Sequence, residues 1–159
     1  MLYCKKYISE TTLLGIWKIE ESKEDLLAKL DDRESLNSIL SMKSDVRILE
    51  MLAGRVLLKE LLGVEKRICY TPSGKPYLED RLFHISISHT KRYVGVVIDD
   101  TNLLGLDLEQ MGHKIKRVQS RVISAKEYID PDNEVVHLLL HWSAKEAMFK
   151  YLDVEGVDF

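Results

Sequence analysis

Apolar positions recur along the chain in two periods, and the switches between them outline the elements. Residues 12–19 are dense in apolar and β-branched side chains and predict a strand. Ser22, with Asp25 three positions later, is a helix start ahead of Leu26, Leu27 and Leu30. From about 44 to 62, Ile48, Leu49, Leu52, Ala53, Val56, Leu57 and Leu61 fall on one face of a helix that Gly63 is placed to end. Arg47, Arg55 and Lys59 leave that stripe. Residues 68–70 form a short strand closed by a turn over 71–76. Phe83, Ile85 and Ile87 alternate with His84, Ser86 and Ser88, as in a half-buried strand. Residues 93–98 and 103–108 read as neighbouring strands joined by a hairpin at 99–102. Ser124 is expected to cap a short helix containing Glu127 and Tyr128, and Pro131 leads into a last helix from about 134 to 152. Strands and helices mix without strict alternation, so the fold class is α+β rather than a doubly wound sheet.

Length and composition narrow the picture a little. At 159 residues the chain can build one good core or two small, closely packed halves. It is 45% hydrophobic and 31% charged, which fits a globular protein and not a disordered one. A net charge of −3 and a pI near 6.0 give no footing for nucleic acid. Lys114, Lys116, Arg117 and Arg121 are nonetheless crowded together: either a solvated face or a docking surface for an acidic partner. Cys4 and Cys69 lack a CxxC partner. With no apolar leader or membrane-length segment, the expectation is a reduced, cytoplasmic protein that uses no membrane.

Chemistry concentrates in the second half. In a strand, Asp107 and Glu109 share a face while Leu106 and Leu108 take the other. In a helix, Glu146 and Lys150 are one turn apart. Three carboxylates and a lysine that converge suit a hard cation such as Mg²⁺ beside a phosphate. The alternatives are solvated acids at a strand end and an ordinary surface ion pair. His137 and His141 share a helix face but lack the glutamate of an HExxH site, and no GxSxG elbow surrounds Ser88. Trp142 reads as core packing that sets the angle of the last helix.

Four segments occur in order: Gly74-Lys75-Pro76, Ile85-Ser86-Ile87-Ser88-His89-Thr90, Gly105-Leu106-Asp107-Leu108-Glu109 and Trp142-Ser143-Ala144-Lys145-Glu146-Ala147. Together they resemble the signature of the 4'-phosphopantetheinyl transferase superfamily, in particular its longer, monomeric type that activates carrier proteins. The resemblance covers residues 74–150 and implies an α+β pseudo-dimer of two related halves, 1–101 and 102–159. It implies transfer of 4'-phosphopantetheine from coenzyme A to a serine of an acyl or peptidyl carrier protein, with Mg²⁺ as cofactor. Asp107, Glu109 and Glu146 would hold the metal. Glu146 would help deprotonate the serine, directly or through a water, and Lys150 would offset phosphate charge. Lys75, Ser88, His89 and Lys145 would contact coenzyme A, with Arg47 and Arg55 toward its 3'-phosphate; His89 would act as imidazolium. The resemblance also implies that members continue beyond the position of Phe159. The second half is therefore expected to be incomplete, prone to self-association or low stability, and poorly ordered after Leu152. The rival expectation is a non-catalytic module that binds coenzyme A or a carrier protein; a Mg²⁺-dependent phosphohydrolase explains the carboxylates but not the ordered motifs.

Overall fold

The computed structural model describes residues 1–124 and 126–152, with the side chains of Arg121 and Val122 outside the description. It is a mixed α+β structure. Strands β1 (Leu2–Tyr7) and β2 (Leu13–Lys18) are followed by helices α1 (Lys23–Leu27), α2 (Arg33–Leu40) and α3 (Asp45–Leu62). Strands β3 (Ile68–Tyr70), β4 (Pro76–Leu78), β5 (His84–Thr90) and β6 (Tyr93–Asp99) follow. Beyond them come a 3₁₀ turn at His113–Arg117, α4 (Gln119–Val122), and α5 (Glu134–Leu152). The main sheet is antiparallel in the order β1-β2-β6-β5, and β3 pairs with β4 separately. No helix among the described residues is long and apolar enough to cross a membrane.

The register sorts the sheet's two faces. Gly15 lies opposite Val96, Trp17 opposite Val94 and Ile87 opposite Val96, so these residues share one face. Helix α3 packs there: a Cβ on Gly15 would fall 2.8 Å from side-chain carbons of both Leu57 and Leu61. Ser44 caps this helix by accepting the Arg47 N–H, and Gly63 ends it at φ 73°. Among the described residues the resulting core runs from Leu13 to Ile98. The opposite face carries Ser86, Ser88 and Gly95. Leu106 and Leu108 lie over Gly95, where an added Cβ would meet them at 3.0 and 2.8 Å.

Residues 103–108 therefore do not form the expected strand beside β6. The reason is topological: β2 and β5 already occupy both edges of β6. The chain instead turns at Asp99, whose Oδ1 accepts the N–H groups of Thr101 and Asn102, and crosses to the other face. Helix α5 packs on that segment so closely that a Cβ on Gly105 would come within 1.9 Å of the Ala147 carbonyl oxygen. A second, smaller core gathers Ile115, Leu138 and Leu139 around the first half of α5.

Other expectations divide. The capping box at Ser22 and Asp25 forms as anticipated. The Ser124-capped helix does not: Ser124 and Glu127 make a single turn, and the helical residues nearby are 119–122. Among the described residues every strand precedes residue 100, so residues 102–152 do not repeat the sheet of 1–101. The stretch after Leu152, expected to be poorly ordered, lies outside the described residues.

Candidate functional site

The site begins with two buried serines. On β5, Ser86 and Ser88 are each 4% exposed and face the crossing segment. Ser86 Oγ accepts the N–H of Leu106 at 3.0 Å, and Ser88 Oγ accepts that of Leu108 at 3.1 Å. Hydroxyls thus take the place of a strand ladder and fix the backbone on either side of Asp107. Ser88 Oγ in turn donates to Asp107 Oδ1 at 3.1 Å.

Helix α5 supplies the opposite wall. Ser143 and Lys150 lie two turns apart on the face that meets Gly105. Ser143 Oγ donates to Asp107 Oδ2 at 3.0 Å. Lys150 Nζ contacts three oxygens: Asp107 Oδ1 at 2.7 Å, the Leu106 carbonyl at 2.9 Å and Ser88 Oγ at 3.2 Å. The Asp107 side chain is 8% exposed, so this pair is more sheltered than the surface pair that spacing alone suggests. Glu146, one turn before Lys150, has its carboxyl pushed up from the usual range by burial first and by the Asp107 charge second. Lys150 opposes that shift, and Glu109 adds to it.

Glu109, another of the expected ligands, has a partner of its own. Its Oε1 accepts the Trp142 indole N–H at 2.8 Å, so this tryptophan orients a carboxylate besides packing against the second core. Among the described residues no three His, Cys, Asp or Glu side chains form a metal-holding group. The donor chemistry nevertheless fits a hard cation. A carboxylate, a carbonyl and a hydroxyl oxygen already surround a positive charge, the Lys150 ammonium, and the charges of Asp107 and Glu109 both act on Glu146.

A cavity of about 230 Å³ adjoins this cage, bounded by Lys75, Ser86, Glu146, Phe149 and Lys150. Lys75 projects from a turn that Gly74 closes at φ 87°, and its Nζ donates to the Tyr151 carbonyl at 3.0 Å. A second cavity of about 120 Å³ shares Gly74, Pro76 and Ile87 with the first and is lined by Arg47, Arg55 and His89. There Arg47 donates to His89 Nε2, and Nδ1 lies 3.1 Å from Glu50 Oε2. Nε2 accepts, so the ring is neutral with its proton on Nδ1. Burial is the main reason its pKa lies below the ordinary value; Glu50 opposes, and the Arg47 and Lys150 charges reinforce it. The expected imidazolium is thus disfavoured in the ligand-free chain.

Lys145 stands apart from the cage. Its Nζ bonds Glu127 Oε2 at 2.9 Å, and the other oxygen of that carboxylate lies 3.0 Å from His141 Nδ1. Lys145 above all holds the Glu127 carboxyl down at about 2. A further cavity, about 580 Å³, lies beyond Glu109 and Trp142 and is lined by Met111, His113, Lys114 and Leu139.

Sequence reasoning missed Glu50 and Ser143. Nothing marks Ser143 within its segment, whereas Glu50 lies one helical turn after Arg47, and that spacing was a usable signal. No known family model matches the chain, and no curated protein shows significant sequence similarity to it.

Proposed function

We propose that this chain transfers the 4'-phosphopantetheine group of coenzyme A to a serine of an acyl or peptidyl carrier protein, as an enzyme of the 4'-phosphopantetheinyl transferase type. The observation that carries this reading is convergence. Lys75, Ser88, Asp107, Ser143 and Lys150 come from four separated segments, yet they and Glu146 surround one cage and its adjoining cavity. The neighbouring basic cavity with Arg47, Arg55 and His89 extends this cleft by sharing three lining residues with it. A bisphosphorylated nucleotide with a flexible arm suits such a cleft.

In the proposed reaction the carrier serine oxygen attacks the β-phosphorus of coenzyme A. The phosphorus–oxygen bond to the nucleotide breaks, and adenosine 3',5'-bisphosphate leaves. Glu146 takes the serine proton, directly or through a water; its raised pKa makes it a better base than an ordinary glutamate. Lys75 and Lys150, on the walls of the cavity, offset phosphate charge, and the rest is positioning. Mg²⁺ held by Asp107, with Glu109 and Glu146, would supply charge neutralisation on the pyrophosphate oxygens. The wide cavity beside Lys114 and Glu109 is where a carrier protein's acidic surface would dock, and an α+β pseudo-dimer whose second half is incomplete belongs to the same proposal.

One observation favours the rival, a non-catalytic module that binds coenzyme A or a carrier: the absence of a three-ligand metal group among the described residues. Intact mass of a serine-bearing apo-carrier protein, after incubation with this chain, coenzyme A and Mg²⁺, separates the two. A gain of one phosphopantetheine group supports transfer; an unchanged mass with retained coenzyme A binding supports the module.

A further inference from the structure

Lys150 and a divalent cation would compete for Asp107. The Lys150 ammonium uses Asp107 Oδ1, the Leu106 carbonyl and Ser88 Oγ, which matches its three N–H donors one to one. Carboxylate, backbone carbonyl and hydroxyl oxygens are also the ligands a hard cation takes. Within this cluster Asp107, Glu109 and Glu146 set three carboxylates against one ammonium, so charge still favours a second cation. A divalent ion bound at Asp107 would stand close to the Lys150 ammonium, which holds the same carboxylate at 2.7 Å, and would repel it.

We infer that Lys150 is a tethered resident cation in the Asp107 cage, and that an arriving divalent ion displaces its ammonium into the cavity lined by Lys75 and Glu146. The route is short, because Lys150 already forms part of that cavity's wall. Displacement has a consequence for order of binding. A released ammonium strengthens the positive lining of the cavity, so the divalent ion and a phosphate-bearing ligand promote each other's binding. The same exchange keeps the cage closed and the cavity less positive while no divalent ion is present. The inference rests on the transferase reading only for the identity of the phosphate ligand.

Two measurements on the full chain, with no nucleotide or carrier protein added, test it. The first is Mn²⁺ affinity by calorimetry. Lys150→Met removes the competing cation and is expected to tighten Mn²⁺ binding about tenfold, within the usual range of coupling between two ligands. The second uses the unaltered protein, so it stands even if the variant fails to fold. Limited acetylation read by peptide mass spectrometry is expected to show Lys150 becoming several-fold more reactive at saturating Mn²⁺, normalised to the exposed Lys6. Failure of the unaltered chain to bind Mn²⁺, a variant that binds it no more tightly, or unchanged Lys150 labelling overturns the inference. If both effects are found but no carrier serine is modified, the exchange stands and the transferase reading falls. If a carrier serine is modified while Lys150 labelling stays unchanged, the transferase reading stands and the exchange falls.

Discussion

Gly105→Ala separates the geometry of the site from the stability of the sheet. Gly105 is not among the glycines with positive φ, so the backbone accepts a side chain there and only space is at issue. The new Cβ would lie 1.9 Å from the Ala147 carbonyl oxygen and 3.0 Å from the Tyr151 amide nitrogen. Both neighbours are helix backbone, which cannot swing aside as a side chain does. Opening the first contact to even 3.0 Å requires segment and helix to part by about 1.1 Å. Asp107 is two residues away, and its 2.7 Å bond to Lys150 would stretch beyond hydrogen-bond reach. Overpacking of this kind costs ~1–3 kcal/mol, more than the ~0.4–1 kcal/mol that Gly→Ala returns by stiffening the unfolded chain. Misplacing reactive groups by ~1 Å costs ~10²-fold in rate. Carrier-protein transfer followed by intact mass should therefore fall about a hundredfold, with a modest drop in melting temperature. Gly112→Ala is the control, since its Cβ would meet nothing nearer than the Gln110 carbonyl at 3.9 Å. A Gly105→Ala protein with unaltered melting and unaltered transfer would refute the backbone-contact reasoning.

Further expectations follow from the same geometry. Transfer should stop in excess chelator and fall at least ~10²-fold in Asp107→Asn; unchanged turnover in either condition would remove the metal role from Asp107. His89 has a folded pKa below its ordinary 6.5, so the unfolded state binds its proton first as pH falls. Its contribution to stability is therefore lost as pH drops from about 7 through 6.5 toward the folded value. Melting temperatures should fall more steeply across that window for the unaltered chain than for His89→Gln, and equal slopes would contradict the assignment. Asp99, held far below its usual pKa first by the Thr12 hydroxyl and next by the Asn102 N–H, stabilises the fold above about pH 4, an effect lost in strong acid. Asp99→Ala should lower the melting point at pH 7 and flatten its acid limb, as read by circular dichroism.

Much of the fold was legible because periodicity and caps agreed. Ser44 and Gly63 bound α3 as their residue types suggest, β5 alternates apolar and polar residues, and β2 and β6 stand out as apolar runs. Strand β1 escaped notice because it is an edge strand with no buried residue: Leu2 and Cys4 are half-buried, the rest exposed, and a register shift between those two breaks the alternation. Helix α2 went unread although Leu36, Ile39 and Leu40 follow helical spacing and Asp32 caps it; the signal was there in a short element. The segment 103–108 has a strand's composition and lacks a strand's opportunity, since pairing depends on a free edge and no local pattern records one. The site was legible as a set of residue types and not as a set of bonds. Ser86 and Ser88 read as the polar face of a half-buried strand; opposite Gly95 they line a slot narrow enough for hydroxyls to substitute for backbone. His89 suggested a charged phosphate contact, but burial and the neighbouring Arg47 charge favour its neutral ring, against the pull of Glu50.

The partition of the two cores bears on the order in which the molecule is made. Among the described residues, every side chain of the larger core lies at or before Ile98, so that core can close while the rest is still emerging during synthesis. The wall bearing Ser86 and Ser88 would then be finished before Asp107 and helix α5 arrive to dock on it. In the native state the reverse path is also open: α5 can lift away, with a core of three buried residues to lose, and leave the larger core intact. Amide hydrogens of Leu106 and Leu108, bonded to serine hydroxyls and not to a ladder, should then exchange well before those of β6. The cage around Asp107 would thus be the last part to form and the first to open.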